Sequence, residues 1–94
     1  MTGRDVRSGL KQRTAMPRYF FHIHGGASYI DEDGMELPDL PAARRMATKT
    51  AGAMLHDDPE QLWDGHPWRM VVTLGQGVIC FVLRFSVEPA PVAV

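Results

Sequence analysis

Cys80 is the only cysteine in the chain. That excludes an internal disulfide and a multi-cysteine zinc site, and it makes a reducing cytoplasm the expected setting. Long apolar runs are also missing. Nothing approaches the roughly 18 consecutive apolar residues of a membrane-spanning helix, and no apolar signal core precedes the first strand-like segment, so no membrane contact is expected. Basic charge is scarce from residue 16 onward. Arg18, Arg44, Arg45, Lys49, Arg69 and Arg84 stand against ten Asp and Glu, a net of −4. They are scattered along the sequence, whereas a nucleic-acid interface gathers positive charge to neutralise phosphates; no nucleic-acid partner is expected. Catalytic equipment is equally sparse. Ser28 and Ser86 have no adjacent base, no glycine-rich phosphate loop precedes a helix, and Gly75-Gln76-Gly77 lies between strands. Together these absences speak against an enzyme, a cofactor and a small-molecule substrate.

Residues 1–15 differ in character from the rest of the chain. Arg4, Arg7, Lys11 and Arg13 against Asp5 give a net of +3, and after Met1 the only sizeable apolar residues before Met16 are Val6 and Leu10. Such a stretch cannot bury enough apolar surface to offset its ordering entropy. The expectation is a disordered leader, or a misassigned start upstream of Met16. Residues 16–88 are expected to form one domain, with 89–94 as a flexible tail. A domain this small buries only about 60% of the surface its unfolded chain exposes, and association is a common remedy.

Periodicity places the elements. Arg18–His24 alternates, with Tyr19, Phe21 and Ile23 on one face and Phe20, His22 and His24 on the other. Gly25-Gly26 suits a tight turn, and Ala27–Asp31 reads as the returning strand, anchored by Tyr29. Asp31-Glu32-Asp33-Gly34 is a turn; its calcium-loop reading fails because position 40 is Leu rather than Glu. Asp39 is a good N-cap, and Pro41 sits harmlessly in the first turn. The helix then runs to about His56, with Leu40, Ala43, Ala47, Ala51 and Met54 on its apolar face. Pro59 stops it. Glu60–Pro67 reads as a loop. Trp68–Leu74 and Val78–Val87 read as strands, the latter with Ile79, Phe81, Leu83 and Phe85 on one face. The result is an α+β fold of order β-β-α-β-β: a four-stranded antiparallel sheet with one helix across one face. The two richest strands, 18–24 and 78–87, are expected to be central and adjacent.

Several of these segments resemble a known group. Met16-Pro17-Arg18-Tyr19-Phe20-Phe21-His22, Asp33-Gly34, Glu36-Leu37-Pro38-Asp39-Leu40 and Ala42-Ala43-Arg44 are similar to an uncharacterised family of small bacterial proteins opening with MPRYFFH, a domain of unknown function. The resemblance spans most of residues 16–85 and implies no activity. His24 and Gly25-Gly26 lie in a stretch that varies in such proteins, so the family lends His24 no role. A hairpin followed by Pro38-Asp39-Leu40-Pro41 also resembles antitoxins of the HicB type, which would imply a small basic protein as partner. Those proteins usually insert a further strand before the helix, for which this chain has no room.

His22 and His24, two apart on a strand, could supply half of a four-coordinate Zn²⁺ site. The remaining ligands would have to come from His56, Asp57, Asp64 or His66, whose spacing does not bring them close; the plainer reading is two histidines on a half-exposed sheet face. Cys80 reads as a small buried hydrophobe rather than a nucleophile. Trp63 and Trp68 read as caps on the end of the core, or else as an aromatic contact for a partner. The sheet face away from the helix is the main lead. Phe20, His22, Val71, Val78, Cys80 and Val82 are assigned to it. That set is too apolar for a solvated sheet, unless the Trp loop folds over it. The expected function is therefore a non-enzymatic interaction module, homodimeric through this face or bound to another protein. The alternatives are a small metal-binding protein using His22 and His24, and an antitoxin-like partner of a small basic protein.

Overall fold

The computed structural model describes residues 16–25, 28–75 and 77–90. The expectations for the leader, residues 1–15, and for the end of the tail, residues 91–94, lie outside them. Strand β1 (Arg18–His24) is followed by a two-residue strand β2 (Met35–Glu36), helix α1 (Leu40–Asp57), a 3₁₀ turn (Pro59–Trp63), β3 (Trp68–Leu74) and β4 (Val78–Phe85). The strands form one antiparallel sheet in the order β2-β1-β3-β4. Among the described residues, no helix is long and apolar enough to cross a membrane.

The α+β arrangement is the one the periodicity implies, but three details differ. First, β1 pairs with β3, not with β4, so β4 is an edge strand despite its apolar richness. The strand beside β1 at the centre is β3, whose inward residues Trp68, Met70 and Val72 are fully buried. Second, the return from β1, expected as a strand over Ala27–Asp31, is not a regular strand across its described part, residues 28–31. A single bridge joins Ile23 to Tyr29, and regular pairing resumes only at Arg18 with Glu36 and Tyr19 with Met35. The Tyr29 side chain is 56% exposed and takes no part in the core. Third, the segment after α1 coils into a 3₁₀ turn begun by Pro59, whose fixed φ suits a helical first position. Gln61 Nε2 donates to the Met54 carbonyl, tying this turn to the helix end.

Helix α1 starts as its sequence dictates. The Asp39 carboxylate accepts from the Ala42 N–H at 3.0 Å, and Pro41 lies in the first turn. Ala43, Ala47 and Ala51 are essentially inaccessible and form the seam that meets the sheet. With no side chain longer than a methyl on this seam, the helix lies close over Tyr19, Ile23, Met70 and Val72. Leu40, Met54 and Leu55 pack at its margins. Trp68 closes one end of the core, stacking on Phe85 with ring centroids 4.6 Å apart. Gly25, at φ +98°, lets the end of β1 pass close to Pro67 and Trp68, where a Cβ would strike backbone.

Gly52 lies on the solvent side of α1, and a Cβ built there meets nothing within 4 Å. The helix therefore carries glycine's backbone-entropy cost with no packing reason for it. Gly52→Ala is expected to stabilise the fold by about 0.5–1 kcal/mol, read as a rise of several degrees in the midpoint of a thermal melt.

Candidate functional site

Antiparallel pairing puts directly opposed residues on the same face, so the register defines the outer face, the one away from α1, row by row. Phe20 lies beside Thr73 and Ile79. His22 lies beside Val71 and Val82. His24 lies beside Arg69 and Arg84. Phe20, His22, Val71 and Val82 are thus together, as the alternation implied. Val78 and Cys80 are not with them. The pairing of β3 with β4 shifts between Val72 and Thr73: Val72 opposes Phe81 while Thr73 opposes Ile79, leaving Cys80 as the extra residue of a bulge. The parity of β4 reverses there. Ile79 turns to the outer face, 63% exposed, while Val78 opposes the inward Leu74 and Cys80 packs against the core.

One side of this face is built by Asp31. Its Oδ1 accepts from the N–H groups of Asp33 and Gly34, each at 3.1 Å. Its Oδ2 accepts from the Phe21 N–H at 3.1 Å. The side chain therefore satisfies a β1 edge donor that a strand carbonyl would otherwise take, which is why the chain can leave the ladder after Tyr29 and rejoin it at Met35. Gly34, at φ +70°, completes the turn, and a Cβ there would press on Phe20, Arg18 and the Tyr19 carbonyl. Burial pushes the Asp31 pKa up. The three backbone N–H donors outweigh it and hold the carboxyl below its ordinary 3.8.

His22 is fixed by the same segment. Its Nδ1 accepts from the Asp31 N–H at 3.1 Å, which puts the ring proton on Nε2, 3.4 Å from the hydroxyl of the buried Thr73. The ring stacks parallel to Phe20, with centroids 6.3 Å apart. This arrangement orients an imidazole as a piece of wall and gives it no free lone pair. Among the described residues, no group of three His, Cys, Asp or Glu gathers into a metal-ligating cluster. His56 and His66 each lie 3.5 Å from a nearby aspartate, Asp57 and Asp64, in exposed pairs elsewhere on the surface. Phe20, His22, Asp31, Glu32 and Thr73 line a shallow hollow of about 360 Å³.

The two tryptophans part company. Trp68 is buried in the core, while Trp63 is 66% exposed and lines a groove with Leu62, His66, Pro67, Val87 and Pro89. The basic side chains, scattered in sequence, are not all scattered in space. His24, Arg69 and Arg84 stand in one row across three strands. Neither Arg69 nor Arg84 has a salt bridge among the described residues. Sequence reasoning missed this row because the strand register alone assembles it.

A family model for a domain of unknown function, DUF6894, matches residues 18–86. The chain belongs to this family, and the matched span includes every element of the fold. No curated protein and no solved structure matches the chain, and no link to HicB-type antitoxins emerges from these comparisons.

Asp31 gives the site a pH signature. Its folded pKa is depressed, so its contribution is complete above the unfolded value near 3.8 and is lost as pH falls through the lower folded value. Asp31→Ala strands three backbone donors and is expected to cost about 2 kcal/mol at pH 7. In urea melts from pH 7 to pH 2, the gap between the wild-type chain and Asp31→Ala should narrow below pH 4.

Proposed function

We propose that the protein is a non-enzymatic interaction module that pairs with a second copy of itself through the outer face of its sheet. The observation that carries this reading is the exposed apolar surface on that face. Ile79 and Val82 are 63% and 40% accessible, beside the half-buried Phe20, His22 and Val71. The single helix packs on the opposite face and leaves this one uncovered. An antiparallel sheet with one solvated face normally alternates apolar with polar residues. Here two adjacent rows depart from that rule, as sheet faces meant for burial do.

The small core supports the same reading. The helix contributes a seam of alanines rather than large side chains, and association through the outer face would add the burial of Ile79 and Val82 to a small core. The alternative route to association, strand addition at the β4 edge, is opposed by the bulge at Cys80 and by the charge of Arg84, both common devices against edge pairing. Face-to-face stacking of two sheets, about 10 Å apart, meets neither obstacle.

Light scattering coupled to size-exclusion chromatography tests this. The full chain should run as a dimer at tens of micromolar. Val82→Lys should run as a monomer with an unchanged far-UV circular dichroism spectrum. A wild-type chain that stays monomeric at about 100 μM overturns the proposal, since that concentration exceeds a micromolar dissociation constant many-fold.

A further inference from the structure

The outer face is electrically lopsided along its strands. The row at one end carries His24, Arg69 and Arg84. Like charges set directly opposite one another on a sheet are mutually destabilising, and neither arginine has an ionic partner among the described residues. Negative charge stands alongside the middle row of His22, Val71 and Val82, at Asp31, and toward the other end, at Glu32. Asp31 is held ionised by three N–H donors. Exposed Glu32 flanks the hollow formed with Phe20 and His22. Its carboxylate has no cationic partner among the described residues.

Resting on the homodimer reading above, we infer that the second copy sits on this face with its strands reversed. The two-fold axis lies in the interface, perpendicular to the strands, and passes over the His22–Val71–Val82 row. Two simple two-fold arrangements bring such faces together. An axis parallel to the strands stacks each row on the same row of the partner, so that Arg69 meets the partner's Arg69 and the cationic rows repel. An axis perpendicular to the strands exchanges the ends. The His24 and Arg69 end of one copy then lies over Glu32 of the other, twice by symmetry, with the apolar middle rows in contact between them. Juxtaposed like charges suppress a docking mode and complementary ones fix its register, so the charge pattern selects the second arrangement. In it Val82 lies close to the axis and faces the partner's Val82. With the axis along the strands, Val82 would instead lie over the partner's His22.

The test uses the full chain with Cys80→Ser, so that a single new thiol reports the geometry. Val82→Cys in this background should be cross-linked to its own copy by a short bis-maleimide, because thiols facing each other on the axis of sheets stacked about 10 Å apart lie beyond direct disulfide range but within the span of such a reagent. Separately, Arg69→Glu and Glu32→Arg should each weaken the dimer about ten-fold or more at low salt. The double variant, Arg69→Glu with Glu32→Arg, should recover to within a few-fold of wild type. Raising the salt should weaken the wild-type dimer and abolish the difference between variants. A dimer whose Val82→Cys form does not cross-link, or which is indifferent to both charge reversals, overturns this orientation while leaving the homodimer standing. A monomeric wild type removes both.

Discussion

The register of β1 against β3 is the constraint on which the rest of the structure depends. Once Tyr19 lies opposite Leu74 and His24 opposite Arg69, every residue of the two central strands is committed to one side of the sheet. One side receives Tyr19, Ile23, Trp68, Met70 and Val72, which bury under the helix. The other receives Phe20, His22, Val71 and Arg69. The alanine seam of α1 is a product of this choice: the side toward the helix already holds a tryptophan and a methionine, and the helix must come close to cover them. The apolar outer rows and the cationic row next to them are products of it as well. Neither could be moved without slipping the register and turning the core outward.

The strand, helix and turn types were legible because each is announced locally. Asp39 and Pro41 mark the helix start, Ala43, Ala47 and Ala51 mark its inner seam, and alternation around Tyr19, Phe21 and Ile23 marks a strand with a buried face. The candidate surface was legible in part for the same reason, since Phe20, His22, Val71 and Val82 all obey simple alternation. What escaped were the non-local decisions. Alternation in β4 gives no hint that a residue will be skipped at Cys80, yet that one bulge exchanges Ile79 for Val78 and Cys80 on the outer face. Apolar richness suggested that 78–87 would be central, but position in a sheet is set by pairing partners, and β3 is flanked on both sides. The returning strand was misplaced because the Asp31 side chain substitutes for backbone, which no propensity scale records.

Asp31 shows how one short side chain can organise a surface several times its own size. It fastens the turn to β1 through Phe21, and its own N–H fixes the tautomer of the His22 ring. That ring in turn stacks on Phe20 and approaches Thr73. A histidine whose chemistry would suit a ligand or a base is thereby made into rigid wall. The site is built around shape and charge: a fixed imidazole ring, a carboxylate held by three N–H groups, and an apolar row beside them.

The pairing of β1 with β3 also has a consequence for synthesis. The chain emerges from the ribosome at a limited rate, N-terminus first. Residue 24 must wait for residue 69, and residue 19 for residue 74. During that interval β1 has only the short Met35–Glu36 segment and the single Tyr29 bridge to lean on, and its aromatic residues remain open on both sides. The β3–β4 hairpin, by contrast, closes on itself as soon as it is made. The nascent protein thus holds β1 without its β3 partner until residues 69–74 have been made, and the clamp at Asp31, together with Arg18 reaching the Asp33 carbonyl and the Glu36 carboxylate, is among the side-chain contacts available that early to keep the strand occupied.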